Sequence, residues 1–115
     1  MEVQVNIDCY DADALAQWYC DALGYTRHGA AGQYRSIVPL DGTDGPKLIF
    51  QQVRQAKTHK NRIHLDLIVG DIDAAARRFT DLGAQRVSAE PIEEHGVRWI
   101  VFLDPEGNEL CLCDS

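Results

Sequence analysis

No apolar run in the 115-residue sequence approaches the roughly 20 residues that a membrane-spanning helix requires, which excludes a helical membrane anchor. Basic residues are scarce. Eleven Lys and Arg stand against 18 Asp and Glu, giving a net charge of -7. No basic stripe is visible, so a nucleic-acid partner is excluded on electrostatic grounds. No basic segment followed by an apolar stretch opens the chain, and no secretory leader is expected. The four cysteines, Cys9, Cys20, Cys111 and Cys113, include no C-x-x-C pair. Cys111 and Cys113 are too closely spaced for a zinc ribbon. Together these absences predict a cytoplasmic protein with reduced thiols.

Apolar residues make up 45% of the chain, enough for an ordinary globular core. The length fits a single domain over 1–115 that folds without a disulfide or metal staple.

The clearest feature is internal repetition. The run from Asp11 to Gly24 returns from Asp71 to Gly83. Asp11, Asp13, Ala14, Ala16 and Asp21 recur as Asp71, Asp73, Ala74, Ala76 and Asp81, and Tyr19 is answered by Phe79. The offset is 60 residues, with one extra residue before Leu23-Gly24 in the first copy.

Each copy reads alike. Residues 3–8 and 63–67 alternate apolar and polar with period two, as half-buried strands do. Asp11 and Asp71 then stand at helix N-caps, with Asp13 and Asp73 in the first turns. Leu15, Trp18, Tyr19, Ala22 and Leu23 form the apolar stripe of one helix. Ile72, Ala75, Ala76, Phe79 and Leu82 form that of the other. Gly24 and Gly83 suit helix C-termini. Three strands are expected after each helix, near 25–28, 33–39 and 47–53, and near 85–88, 97–103 and 108–113. Residues 41–46 and 104–107 carry turn chemistry. The polar segment 54–61 reads as a linker between a first module over 1–53 and a second over 62–115. The fold class is therefore α+β, with two tandem βαβββ modules whose curved sheet surrounds a shared cavity and whose helices cover the outer face.

This duplication, the strand from Arg62 to Asp71 and the closing hairpin from Trp99 to Leu112, with its D-P-E-G-N-E-L-C-L ending, resemble the glyoxalase/bleomycin resistance/dioxygenase (vicinal-oxygen-chelate) superfamily. The resemblance covers nearly the whole chain. It implies a site of four metal ligands, usually two His and two Glu, one from the first and one from the last strand of each module. Such a set leaves positions open for vicinal substrate oxygens. The matching positions here are poor. His64 stands where the second module's His is expected, but Gln4 occupies the equivalent place in the first. The final Glu is replaced by Cys111, with Glu109 the nearest carboxylate. The remaining position falls on Ile49 or Gln51, depending on register. No metal cofactor is expected at this degenerate set of Gln4, His64 and Cys111, which are expected to converge.

Alternation assigns Gln4, Asn6, Asp8, Lys47, Ile49 and Gln51 to the cavity side of the first module. In the second it assigns His64, Asp66, Glu109, Cys111 and Cys113. Gln4, Asn6, Asp8, Gln51, His64, Asp66, Glu109 and Cys111 are the candidate ligand-binding residues, and His64 is the candidate catalytic residue. Val3, Val5, Ile7, Ile63, Leu65, Leu67, Leu110 and Leu112 belong under the helices. Cys111 reads either as a small buried hydrophobe or as a nucleophile paired with His64. His28, His59 and His95 read as surface residues in loops or near strand ends. Trp99 and Tyr34 lie on strands whose facing stays open. Residues 90–95 read as a solvated loop or as a lid at the cavity mouth.

The favoured function is metal-independent binding of a small molecule, a drug or natural product. The alternatives are a metal-free or metal-dependent lyase, isomerase or dioxygenase that uses His64. The resemblance also implies a homodimer, since members of the superfamily commonly pair modules between chains.

Overall fold

The structure is a computed structural model and describes residues 1–114. The chain divides into two compact units, Met1–Lys57 and Thr58 onward, so the boundary falls inside the segment expected to link the modules.

The first unit runs β1 (Gln4–Cys9), α1 (Ala12–Leu23), β2 (Tyr25–Ala31), β3 (Tyr34–Pro39) and β4 (Lys47–Gln52). Its sheet has the order β1-β4-β3-β2, parallel between β1 and β4 and antiparallel elsewhere. Leu15 and Tyr19 of α1 bury against Ile37, Leu48 and Phe50 of the sheet, all at 2% exposure or less. The rings of Tyr19 and Phe50 lie 5.4 Å apart.

The second unit runs β5 (Leu65–Ile68), α2 (Ile72–Asp81), β6 (Gln85–Arg86), β7 (Ile92–Glu94), β8 (Val97–Leu103) and β9 (Glu109–Cys113). Its order is β5-β9-β8-β6, with β7 also paired to β8. The parallel pairing of first and last strands repeats the first unit. Ile72, Ala76 and Phe79 of α2 are buried with Ile100, Phe102, Leu110 and Leu112.

Both helices start as their sequences require. The Asp11 and Asp71 side chains accept from the Ala14 and Ala74 amides at 3.1 and 3.0 Å. Gly24 and Gly83 follow the helices at φ 70° and 91°, a left-handed region that costs a side-chain-bearing residue energy. Their bonding differs. The Gly24 amide donates to the Cys20 carbonyl in a single bond, whereas Gly83 and Ala84 donate to Thr80 and Phe79 in a doubled closure.

Four expectations need correction. The strand expected over 63–67 begins at Leu65, and Ile63 is 83% exposed rather than packed under α2. The ladder with β9 begins at the Leu65–Leu110 pair, so Ile63 lies outside it. Val3 precedes β1 and is likewise exposed. The segment 90–95 is no simple loop. Its Ile92–Glu94 pair with β8 as β7, closed by a tight turn with both His95 and Gly96 at positive φ. The strand expected over 25–28 continues to Ala31 past an irregularity at His28, which therefore lies on a strand.

A tie not foreseen joins α1 to its sheet. Asp13 accepts from Arg27 Nη2 at 2.6 Å and from Arg35 Nε at 3.3 Å. The hydrogen bond and charge of Arg27, then Arg35, hold the Asp13 carboxyl below its usual value. A lowered folded-state pKa stabilises the fold above the ordinary Asp value of 3.8, and this contribution fades as pH falls through the lowered value. Asp13→Asn should therefore melt below the parent chain at neutral pH, with a gap that closes below about pH 4. Thermal melts across pH check this, and a pH-independent gap would refute it.

Candidate functional site

Strand register sorts each sheet into two faces, because aligned residues on neighbouring strands point the same way. In the second unit Asp66 aligns with Cys111, and Cys111 with Val101. Ile68, Cys113 and Trp99 align in the next row. This face lies opposite Leu110, Leu112, Ile100 and Phe102, so Trp99 stands on the side away from α2.

His64 Nε2 lies 3.1 Å from Asp66 Oδ1, with both side chains exposed. The ligating atoms of His64, Asp66 and Cys111 all lie within 4.8 Å of one another. Cys111, on the face away from α2, is buried at 7% exposure, as is Cys113. Burial pushes the Cys111 thiol up to about 11, and the charges of Asp66 and Cys113 add to the shift against a small opposing effect of Lys60. A thiol raised this far holds little of the thiolate that a nucleophile needs, which favours the reading as a small buried hydrophobe. None of the four cysteines forms a disulfide. The Glu109 carboxylate accepts from the Asn61 amide at 2.9 Å, tying the end of the linker to β9.

The D-P-E-G-N segment is structural. Asp104, only 4% exposed, accepts from the Glu106 amide, the Asn108 amide and Asn108 Nδ2 at 2.8 to 3.0 Å. It shapes the turn from β8 into β9.

In the first unit Gln4 aligns with Lys47, Asn6 with Ile49 and Asp8 with Gln51. Gln4, Asn6 and Asp8 are exposed, while Gln51 is half-buried. Ile49 also aligns with Ser36, and Gln51 with Tyr34. Asn6, Ile49, Ser36 and Gly29 thus form one row across all four strands on the face away from α1. An open pocket of about 560 Å³ lies over this row, walled by Asn6, His28, Tyr34, Ser36, Lys47 and Ile49. Of the predicted binding residues in this unit, Asn6 alone lines it; Gln4, Asp8 and Gln51 do not. Tyr34 proves to be a pocket wall. His28, read from the sequence as a surface residue, and Ser36, assigned no role there, also line it, because their facing depends on the irregularity in β2 and on the register of β3.

The two registers also decide which positions could hold the superfamily's metal. Gln4 and Asn6 stand in the first unit as His64 and Asp66 stand in the second, and Ile49 stands as Cys111. The ambiguity between Ile49 and Gln51 resolves to Ile49. The four positions are then Gln4, Ile49, His64 and Cys111. In the second unit one imidazole, one carboxylate and one thiol lie together, and in the first the equivalent positions supply an amide and an alkyl chain, a donor set that does not fit a two-His, two-carboxylate divalent centre.

The architecture defines an α+β protein of duplicated βαβββ modules. The chain belongs to the Glyoxalase-like domain family, whose profile matches residues 4–113. Among solved structures it is similar to a glyoxalase/bleomycin resistance protein/dioxygenase family enzyme from Burkholderia phytofirmans PsJN. The identity is 20% and the TM-score 0.79, covering 96% of this chain and 94% of the other. It is similar to the fosfomycin resistance protein FosX from Mesorhizobium loti, at 14% identity and a TM-score of 0.75, covering 100% and 92%. It is also similar to a bleomycin resistance determinant encoded on the transposon Tn5, at 19% identity and a TM-score of 0.72, covering 100% and 98%. At these identities the likeness establishes the fold. Among curated proteins, none matches the chain. Among the described residues, no helix is long and apolar enough to cross a membrane.

Proposed function

We propose that this protein binds a small organic molecule on the helix-free face of its sheets, without the divalent centre of its metal-dependent relatives. The observation that carries the reading is the pocket of about 560 Å³ over β1 to β4, a volume in the range of small-molecule sites. It presents an aromatic ring, an apolar floor and a few polar groups together. The substitution of ligand positions by Gln4 and Ile49 supports recognition through hydrogen bonds and apolar contact rather than through a metal. Two structural neighbours are drug-resistance proteins by name, which supports a drug or natural product as the bound class. In this reading two copies act together in a reducing cytosol.

A second reading rests on the His64–Asp66 contact of 3.1 Å. A carboxylate that orients an imidazole suits an acid/base role in a metal-free lyase or isomerase. The two readings separate on whether a bound compound is released unchanged.

Native mass spectrometry of protein prepared without chelators tests the proposal. The expected spectrum shows a dimer carrying organic adducts and well under one equivalent of Zn, Ni, Mn or Fe per chain. Chelator treatment should leave the melting temperature unchanged. A stoichiometric metal ion lost together with bound ligand on chelation would overturn it.

A further inference from the structure

The pocket of the first unit has a charge character opposite to that of the chain. The protein carries a net charge of -7, yet no carboxylate lines the pocket, while Lys47, Arg35 and His28 all do. The two permanent cations are not equivalent. Arg35 is committed to the helix side, where its Nε meets Asp13 and its Nη1 donates to the Gly32 and Tyr34 carbonyls at 2.9 Å. Lys47 is half-buried and, among the described residues, forms no ion pair.

Its position on β4 explains the isolation. Its aligned neighbour on β1 is Gln4, and the next residue of β1 on that face is Asn6, both neutral. The adjacent row supplies Ser36 as a further neutral hydrogen-bonding group. The neighbours of Lys47 offer neutral acceptors only, and an anionic acceptor brought in from outside would make the stronger, charge-assisted bond to this ammonium. Beside it, Ile49 and the Tyr34 ring offer apolar surface. Opposite, Gly29, Ala30 and Ala31 of β2 leave space that larger side chains would occupy. A Cβ placed on Gly29 would come within 3.1 Å of the pocket-lining Ser36 Oγ and crowd it.

We infer that this pocket selects anionic small molecules, with Lys47 taking a carboxylate or phosphonate group and Tyr34 and Ile49 taking an attached ring or short apolar body. The inference rests on the proposed binding function and names its ligand class. Lys47 is the specificity-determining residue, and Asn6 and Ser36 supply hydrogen bonds to the same group.

The test titrates the full-length protein with four probes of one shape: benzoate, phenylphosphonate, neutral benzamide and cationic benzylammonium. Backbone amide shifts of Asn6, Ser36 and Lys47 report binding by nuclear magnetic resonance at constant ionic strength. Benzoate and phenylphosphonate should bind about tenfold or more tightly than benzamide, the span of one hydrogen bond to a charged group. Benzylammonium should be weakest. Lys47→Met should abolish the preference for anions while the spectrum stays folded, and Lys47→Arg should keep it. Equal binding of benzamide and benzoate, or an anion preference that survives in Lys47→Met, overturns the anionic selectivity and leaves the binding function standing. Failure of all four probes to shift these amides at millimolar concentration overturns both.

Discussion

Phe102→Ala should cost the second module about 3–5 kcal/mol of stability. Phe102 is fully buried on the helix side of β8. Its ring meets Phe79 of α2 edge-on at 6.0 Å, and its aligned neighbour on β9 is Leu110, also fully buried. Truncation removes apolar burial and leaves a void that a sheet held on both sides by ladder bonds cannot close. A loss of this size is a large part of the total stability of a domain this small. Phe102→Leu, expected to cost about 1 kcal/mol, keeps the comparison measurable if the Ala variant fails to fold. His64→Ala is the matched control, since His64 is exposed and contributes no helix-side packing. Its cost should stay within about 0.5–1 kcal/mol, as for a surface change. Urea denaturation followed by tryptophan fluorescence, in Trp18→Phe and Trp99→Phe backgrounds that leave one reporter per chain, reads the two units separately. Equal costs for Phe102→Ala and His64→Ala would show that the assignment of faces is wrong.

Asp104→Ala should cost about 2–4 kcal/mol. The carboxylate accepts from two backbone amides and one side-chain amide across the turn between β8 and β9. Bonds to an ionised acceptor are about twice as strong as neutral ones, and removing the acceptor takes three such bonds from half-buried donors. Asp104→Asn keeps an acceptor oxygen but loses the charge, and should cost about half as much. The same urea titration reads both variants through Trp99. A cost below about 0.5 kcal/mol for Asp104→Ala would mean that the turn is held by its backbone bonds, from the Gly107 amide to the Asp104 carbonyl and from the Asp104 amide to the Asn108 carbonyl.

The aspartates of this protein show how far local reading reaches. Asp11 and Asp71 behave as the repeat implied, because an N-cap depends only on residues a few positions away. Asp104 belongs to a motif that was visible as turn chemistry, and its bonds span only four residues. Asp13 was equally visible as a first-turn acid, but its partners Arg27 and Arg35 arrive from β2 and β3. Nothing in the local pattern distinguishes it from Asp73. β7 escaped notice for another reason. Its turn places His95 at φ 53°, a conformation that the sequence does not announce with Asn-Gly or Asp-Gly.

The candidate site divides along the same line. Alternation alone put His64 and Asp66 on the face opposite the helix, and put Asn6, Lys47 and Ile49 on that of the other module. It could not state that Cys111 is buried and its thiol raised to about 11, because burial depends on what the fold stacks over a strand. Nor could it choose between Ile49 and Gln51, since a slip of two residues preserves every face while changing every neighbour.

The sequence by itself determined the duplication, the βαβββ order, the helix termini and the apolar stripes, all of which are set by interactions within a few residues or by a period of 2 or 3.6. The tertiary structure alone decided the strand registers, and with them which side chains become neighbours. Those registers placed Asn6, Ser36 and Ile49 in one row beside Lys47, closed the pocket wall with Tyr34, and left Ile63 outside the ladder. The physical reason is that ladder hydrogen bonds join backbones almost regardless of residue type, so the register is fixed by the packing of whole faces rather than by any single residue along the chain.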